Sequence, residues 1–407
     1  MTDSAATDLV EEVGDDFFDD PHRYYRRWRE SGPVKHIRMS DGWESWVVLG
    51  YNEARTALTD PRVRKGVGGL REIAAHKGYA TNASSDARML GEHMLNSDPP
   101  DHTRLRKLVV KAFTPRRTAE LKPRIEQLTT ALLDDLEGKG EVDLLAAFAN
   151  PLPVQVICEL LGIPFEDRAS FQYWTKVLVG LLGDQPDREK AAAEMAGYLR
   201  AQIAAKHAHP GDDLLSALVH ASEDGDALTE SEVIAMSFLL LVAGHETTVN
   251  LIGNGTYNLL RNPAQLDLVR SDPATIPNAI EELLRHDGPV SWATLRYTTE
   301  PIRLGDTEIP AGEYLFVALG AANHDPTRYP QADTLDLTAD TSAHIAFGYG
   351  IHYCVGAPLA RLEAVTAFTA LLSRYPELRL ADQTFTPTWQ ANLVLRGLAE
   401  LPVILSP

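Results

Sequence analysis

The feature that most constrains the fold is a long apolar segment between Thr229 and Pro263. Thr229 and Glu232 have the spacing of a capping box, and Asn262-Pro263 is a helix-stop signal. The segment therefore predicts one helix of roughly 50 Å, at about 1.5 Å per residue. Because its apolar residues fall on every face, we expect the helix to run through the interior of a large helical body.

The middle of this predicted helix carries residues that a buried helix does not favour. Residues 243–248 read Ala-Gly-His-Glu-Thr-Thr. Glycine costs about 1 kcal/mol relative to alanine in a helix, and threonine hydroxyls compete for the helix carbonyls. Such conflicts between local sequence and fold are often functional. The segment is therefore a candidate site, and a harmless kink is the alternative interpretation.

A second candidate site is a glycine-rich segment that ends in a cysteine. Residues 347–356 read Phe-Gly-Tyr-Gly-Ile-His-Tyr-Cys-Val-Gly, and a helical pattern follows from Ala360. Cys354 therefore lies near a helix N-terminus, where free N–H groups and the helix dipole favour a thiolate. Cys158 lies in an apolar run and reads as a core residue. A nucleophilic pair of Cys354 with His352 is an alternative, but no orienting acid or oxyanion hole lies nearby in the sequence.

The rest of the chain predicts small sheets at both ends of the helical body. Strand patterns at residues 34–39 and 45–49 flank Asp41-Gly42 and predict a hairpin. Residues 66–96 read as a long loop with short helical pieces, and the chain is mostly helical from residue 101 to about 284. Further short strands are predicted at 302–304, 308–309 and 314–319, and residues 393–395 with 403–405 suggest a terminal strand pair.

We therefore predict a mainly α fold with small β-sheets that forms a single domain over residues 1–407. Its parts are a sheet-rich N-terminal part over about 17–65, a helical body over about 98–288, and a sheet region with the cysteine loop over about 289–407.

Composition excludes several classes of function. The chain has 38 Lys+Arg against 57 Asp+Glu, a net charge of −19, which argues against nucleic-acid and anionic-membrane partners. Two cysteines cannot form a cysteine-only zinc or iron–sulfur site. The N-terminus has no signal-peptide pattern. We expect a cytoplasmic, monomeric protein.

Four segments, in order along the chain, resemble the motifs of the cytochrome P-450 monooxygenases. They are Asp-Pro-Pro-Asp-His-Thr-Arg-Leu-Arg at 98–106, Ala-Gly-His-Glu-Thr-Thr at 243–248, Glu-Leu-Leu-Arg at 282–285 and the segment at 347–356. The last has all six defining positions of the haem-binding signature. The resemblance covers nearly the whole chain from about Phe17. The sequence is most similar in type to soluble actinobacterial members that act on polyketides, macrolides and steroids. It implies the P-450 fold, with the long central helix over haem b (iron protoporphyrin IX).

The resemblance also implies roles for individual residues. Cys354 would be the axial ligand of the haem iron, with Phe347 beside the sulfur and backbone amides up to Gly356 tempering its basicity. The haem propionates would be bound by His102, Arg106, Arg296 and His352. Glu246 and Thr247 would deliver protons for dioxygen cleavage, so that one oxygen atom enters a C–H bond or a double bond.

A buried clamp behind the haem is implied for Glu282 and Arg285, which are three residues apart on one helical face. Relatives usually complete this clamp with an arginine, where this chain has Thr334. The clamp must therefore be closed differently here or be weaker.

Substrate contacts follow from position alone. A bulky apolar substrate would touch Leu239, Val242, Ala243, Val290 and Trp292, although plain core packing explains each residue equally well. The entrance would be formed by residues 66–96 and 171–182.

The chain itself has no motif for collecting electrons. Gly66-Val67-Gly68-Gly69 lacks the spacing of a dinucleotide site, and the cysteine count excludes an internal iron–sulfur cluster. We therefore expect a ferredoxin served by an NAD(P)H-dependent ferredoxin reductase. A basic stretch beside the haem-edge helix would receive an acidic ferredoxin; it comprises Lys107, Lys111, Arg116 and Arg117.

Two alternatives remain for a haem-thiolate protein. A peroxygenase would take oxygen from peroxide without an electron donor, and the presence of Glu246 and Thr247 argues against it. A non-catalytic haem protein that binds or senses a small ligand would not need a proton-delivery groove.

Overall fold

The protein is described here by a computed structural model that covers residues 10–79, 83–112, 115–180, 185–223 and 226–406, leaving out the side chains of residues 111–117 and 222–225. Helices make up most of this structure. They are α1 (Pro21–Arg29), α2 (Tyr51–Thr59), α3 (Val67–His76), α4 (Ser85–Gly91), α5 (Asp101–Ala112), α6 (Pro115–Glu120), α7 (Lys122–Asp134), α8 (Pro151–Leu161), α9 (Arg168–Leu178), α10 (Gln185–Ala208), α11 (Leu214–Val219), α12 (Glu230–Arg261), α13 (Pro263–Ser271), α14 (Ile276–Asp287), α15 (Leu319–Asn323) and α16 (Ala357–Arg374).

The strands are short and lie mainly towards the two ends of the chain. They are β1 (Glu11–Glu12), β2 (Val34–Arg38), β3 (Glu44–Val48), β4 (Val63–Arg64), β5 (Glu141–Asp143), β6 (Ser222–Glu223), β7 (Asp226–Ala227), β8 (Arg296–Thr298), β9 (Ile302–Leu304), β10 (Thr307–Ile309), β11 (Tyr314–Val317), β12 (Arg379–Leu380) and β13 (Pro402–Ile404). The largest sheet has the order β1-β2-β3-β11-β8-β4, so strands from both ends of the sequence meet in it.

The predicted hairpin and the strands after α14 are confirmed, and two other predictions are corrected. β2 and β3 pair antiparallel with Val34 opposite Val48, and β9 pairs with β10. The predicted terminal strand pair is wrong, because β13 pairs with β12 and β5 while Leu395 forms a bridge with Val290. The region 66–96 contains the predicted helical pieces, α3 and α4, but they occupy more of it than the predicted loop does.

The long helix α12 is the centre of the main hydrophobic core. Thr229 and Glu232 form the predicted capping box, and the helix ends at Arg261 before Asn262. It packs against α4, α8, α10, α14 and α16, and it continues without a break through residues 243–248. Its length, and a mean hydropathy of 1.3 over its most apolar 18 residues, would suit a membrane span. However, 61% of that 18-residue window is buried inside the protein. α12 is therefore a core helix.

The clamp on α14 is closed by backbone groups instead of a second arginine. Arg285 Nε and Nη2 donate to the Glu282 carboxylate at 2.7 and 2.8 Å, and both side chains are almost fully buried. Arg285 also donates to the carbonyl oxygens of Asn323, Ala332 and Thr334 at 2.8–3.0 Å. The side chain of Thr334 is thus not needed, because its main-chain oxygen accepts the hydrogen bond.

Removing one charge of this clamp should strongly destabilise the fold. Glu282→Gln leaves the buried guanidinium of Arg285 without a counter-charge, which is expected to cost about 3–5 kcal/mol of unfolding free energy. The measurement is urea unfolding. Lys190→Ala, which breaks an exposed pair with Glu194, is the control and should not shift the unfolding midpoint. A urea midpoint of Glu282→Gln as close to wild type as that of the control would contradict the buried clamp.

Candidate haem-thiolate site

The cysteine loop is shaped by two left-handed glycines and closed by its own backbone. Gly348 and Gly350 have φ values of +73° and +75°, which residues other than glycine rarely adopt. The N–H of Cys354 donates to the carbonyl oxygen of Phe347 at 3.0 Å. The loop therefore presents Cys354 just before Ala357, the first residue of α16.

The Cys354 thiol is accessible, although protein atoms crowd it closely. This crowding raises the pKa of the thiol, while the backbone N–H groups of Gly356 and Ala357 and the charge of Arg106 act in the opposite direction. A Cβ atom on Gly356 would lie 3.8 Å from the sulfur. The N-terminus of α16 thus offers hydrogen bonds to a sulfur that carries negative charge.

A charged network, which sequence reasoning missed, fixes the loop to α14. The guanidinium of Arg361 lies 4.5 Å from the ring centre of Phe347 and donates to Glu281 at 2.6 and 2.8 Å. His344 also contacts Glu281, with Nε2 3.0 Å from Oε2. Although burial opposes it, these two partners lower the pKa of Glu281 to about 2. No motif signalled this network, although Glu281 directly precedes the Glu-Leu-Leu-Arg motif.

Basic side chains predicted from separate segments lie together beside the loop. The rings of His102 and His352 are 4.3 Å apart. Arg106 Nη2 donates to the carbonyl oxygen of Tyr353 at 2.7 Å, which joins α5 to the loop. Arg296 on β8 is 4% exposed. Burial and the surrounding positive charges, including that of Arg296, lower the pKa of His352 to about 2.

Lys65 is a further member of this basic cluster that the sequence did not reveal. It is only 1% exposed, and its backbone N–H donates to Asp98. Its ammonium group makes no ion pair within the described part of the chain. Burial and the charge of Arg296 hold the pKa of Lys65 well below its usual range. A lysine after a two-residue strand carries no motif, so only the fold places it here.

Several polar atoms of this cluster have no partner. Both ring nitrogens of His102 and Nε of Arg296 are buried without a hydrogen bond to any described residue. Buried polar groups normally find partners, so such atoms need an explanation. Together with Arg106, His352 and Lys65, they form a set of donors suited to a carboxylate.

The polar segment of α12 places an acid and an alcohol one residue apart. Thr247 Oγ1 donates to the carbonyl oxygen of Ala243 at 2.9 Å. Glu246 is 6% exposed, and Nε2 of His245 lies 3.3 Å from its Oε1. Burial would raise the pKa of Glu246, but His245 and Lys176 lower it below its usual value.

The predicted substrate contacts divide into two groups. Leu239 and Ala243 lie on the face of α12 that carries Thr247, since helical residues four apart share a face. Ala243 is exposed, and Val242 and Val290 are half-buried. The expectation for Trp292 is wrong. Its ring is fully buried against two phenylalanines, Phe17 and Phe316, and donates to the Tyr25 hydroxyl at 2.7 Å.

These features define a haem-thiolate site. An accessible thiol lies at a helix N-terminus, and Gly356 beside it carries no side chain. Basic groups that have no partner among the described residues, and that fit two propionates, lie next to the same loop. A planar dianionic cofactor with a metal that takes one sulfur ligand matches this donor set.

Comparison with known proteins gives the same answer. A sequence profile of the family described as Cytochrome P450 matches residues 275–396. The chain is 51% identical over 405 residues to Cytochrome P450 107B1 of Saccharopolyspora erythraea, covering 99% of both chains. It is 44% identical over 394 residues to the Vitamin D(3) 25-hydroxylase of Pseudonocardia autotrophica, covering 96% of this chain and 95% of the relative. The tirandamycin C-bound P450 monooxygenase TamI superposes with a TM-score of 0.89 at 46% identity, covering 97% of this chain and all of TamI.

The chain therefore belongs to the cytochrome P450 family. Its fold is that of the family, its cofactor is a haem with a thiolate ligand, and it is a monooxygenase.

Proposed function

We propose that this cytoplasmic, monomeric enzyme inserts one oxygen atom of O2 into a C–H bond, or epoxidises a double bond, of a bulky apolar small molecule. The electrons come from a ferredoxin and its NAD(P)H-dependent reductase. The observation that carries the proposal is the combination of an accessible Cys354 with the acid–alcohol pair of Glu246 and Thr247. A simple ligand binder needs the first feature but not the second.

The cofactor in this proposal is haem b, with Cys354 as the iron ligand. When bound, the haem supplies dioxygen activation and oxygen-atom transfer. The N–H groups of Gly356 and Ala357 would stabilise the thiolate charge. Phe347, which lies under the guanidinium of Arg361, would pack beside the sulfur. The propionates would be held by the basic cluster, which comprises His102, Arg106, Arg296, His352 and Lys65.

Glu246 and Thr247 manage protons on the chain's side of the reaction. The buried carboxyl group of Glu246 can take up and release a proton, and the Thr247 hydroxyl lies on the neighbouring, half-buried side of the helix. In its present bond to Ala243 the hydroxyl is a donor, so its oxygen keeps lone pairs that can accept another hydrogen bond. Positioned proton transfer of this kind is worth roughly 10²–10⁴ in rate.

The proposed substrate is of the polyketide, macrolide or steroid kind. Leu239 and Ala243, on the helix face that carries Thr247, are apolar. The half-buried Val242 and Val290 are further candidate contacts. The relatives support this class, since one is named for vitamin D(3) and a neighbouring structure holds tirandamycin C. Apolar contacts of this type fix shape and orientation more than they discriminate between functional groups.

The proposed electron donor docks beside the cysteine loop. Lys107 is exposed on α5. Three apolar side chains are 40–50% exposed: Val110 on α5, and Ile351 and Tyr353 in the cysteine loop. A basic side chain beside apolar groups, in a chain of net charge −19, suits an acidic partner of limited contact area. The side chains of Lys111, Arg116 and Arg117, also predicted for this surface, lie outside the described residues.

Turnover with a surrogate ferredoxin and reductase tests the function directly. A panel of macrolides, polyketides and steroids is first screened for a substrate-induced change in the haem spin state. We expect a spectral binder to gain one oxygen atom in the presence of NADPH, with the label of ¹⁸O2 in the product. Product formed only when peroxide replaces the electron donor would support a peroxygenase instead, and binding without any product would support a sensor.

Thr247→Ala should separate NADPH use from product formation. Without the hydroxyl, the chain would position protons less well, so the product formed per NADPH should fall at least about tenfold, with hydrogen peroxide released. Thr256→Ala is the control, because Thr256 makes the same type of bond to the carbonyl four residues earlier in α12. Unchanged coupling in Thr247→Ala would remove this hydroxyl from the mechanism.

Lys65→Met should weaken haem binding without weakening the apoprotein. A charge-assisted hydrogen bond contributes about 1.5–3 kcal/mol, so haem affinity should fall roughly tenfold to a hundredfold. The apoprotein should unfold at the same or higher urea concentration, because a buried ammonium without a partner is removed. Haem transfer to apomyoglobin measures the affinity, with Lys77→Met as control, since Lys77 pairs with Glu313. Equal transfer rates for the two variants would exclude Lys65 from the haem site.

Electron transfer from ferredoxin should slow as salt rises. Attraction between opposite charges is screened within about 10 Å at 0.1 M ionic strength. Stopped-flow reduction should therefore slow with added salt, and Lys107→Glu should reduce both the rate at low salt and the salt dependence. Lys190→Glu on α10 is the control and should retain both. A rate that is independent of salt would contradict this docking surface.

A further inference from the structure

His245, between Gly244 and Glu246, is a buried titratable residue to which the motif assigns no role. It is 1% exposed. Successive helical residues are about 100° apart around the axis, so His245 lies roughly on the opposite side of α12 from Thr247, with Glu246 between them. The side chain therefore belongs to the protein interior behind the proposed proton pathway.

The hydrogen bonds of the imidazole determine where its protons are. Nδ1 lies 2.7 Å from the carbonyl oxygen of Leu241, and because a carbonyl can only accept, Nδ1 must carry a hydrogen. Nε2 lies 3.3 Å from Oε1 of Glu246. This contact is long and poorly aligned for a hydrogen bond, and Nε2 has no other partner among the described residues.

This contact is favourable when the pair holds a proton. If neither Nε2 nor the carboxylate carried a proton, two electron-rich atoms would lie 3.3 Å apart between almost fully buried side chains. The side chains are 1% and 8% exposed, so solvent does not relieve that repulsion. One proton shared by the pair converts the contact into an attraction.

Helix α9 covers the pair and contributes the other charge that acts on it. The ring of Phe171, which is fully buried, lies 6.3 Å from the imidazole centre and nearly edge-on to it. Lys176, also on α9, is the other positive charge that stabilises the Glu246 carboxylate. Among the described residues, the charged groups that act on Glu246 are thus His245 from α12 and Lys176 from α9.

We propose that His245 is a positioning residue that orients Glu246 and holds one proton with it. The proposal rests on the proposed monooxygenase function for its consequence in catalysis, because only then does Glu246 have protons to deliver. The pair itself does not depend on that function. It is a property of the folded chain that can be measured without turnover.

The pair is tested first by unfolding. His245→Leu leaves the Glu246 carboxylate buried without its nearest counter-charge, so its pKa in the folded state should rise above that of the unfolded chain. Such a group stabilises the fold at low pH and loses that contribution as the pH rises. The urea midpoint of His245→Leu relative to wild type should therefore fall between about pH 5 and pH 8.

The second substitution isolates the interaction. Adding Glu246→Gln to His245→Leu removes the carboxylate, so the pH dependence should disappear and the midpoint should recover. His220→Leu is the control, because its Nδ1 also contacts the carbonyl oxygen four residues earlier. If His245→Leu and Glu246→Gln shift the midpoint additively at every pH, the pair does not exist and the proposal is wrong.

Turnover then tests the consequence. His245→Leu should lower product formed per NADPH about tenfold with little change in spectral substrate binding. His245→Gln keeps a donor towards Glu246 and should restore coupling to within about twofold. If the unfolding experiment shows the pair but His245→Leu forms as much product per NADPH as wild type, the positioning role is wrong. Absence of turnover in wild type and all variants would count against the proposed function, while the unfolding result would still decide the pair.

Discussion

The structure depends on holding one sulfur atom at the N-terminus of α16. The glycines at 348 and 350 let the loop turn, and the bond from Cys354 N–H to Phe347 closes it. The loop is then fixed from outside, because Arg361 covers the Phe347 ring and pairs with Glu281. The next residue, Glu282, begins the buried clamp with Arg285. Adjacent carboxylates on α14 therefore fix the cysteine loop and the segment before it.

Electrostatics makes the rest of the site costly to build without a cofactor. A chain of net charge −19 gathers Lys65, Arg296 and the histidines at 102 and 352 in one largely buried cluster. Burial and mutual repulsion lower the pKa of several of these groups. Two propionates would remove both penalties, so cofactor binding and stability of this region are coupled. The partnerless nitrogens of His102 have the same explanation.

The sequence predicted those parts of the molecule whose signals are local. The bounds of α12 follow from its capping box and Asn262-Pro263, and the hairpin of β2 and β3 follows from its turn. Residues that act through distant contacts could not be predicted. Lys65, Glu281 and Arg361 carry no motif, and their partners lie far away in sequence. The predicted substrate contact of Trp292 was wrong for a related reason, because only tertiary packing distinguishes a core aromatic residue from a pocket residue.

The central claim is that Cys354 is the thiolate ligand of the haem iron. The most direct measurement is the difference spectrum of the dithionite-reduced protein with carbon monoxide. The account predicts a Soret band at the strongly red-shifted thiolate position, lost in Cys354→Ala and retained in Cys158→Ala, since Cys158 is a buried core residue. A band at the imidazole position in the wild-type protein, or a thiolate band that survives Cys354→Ala, would contradict it.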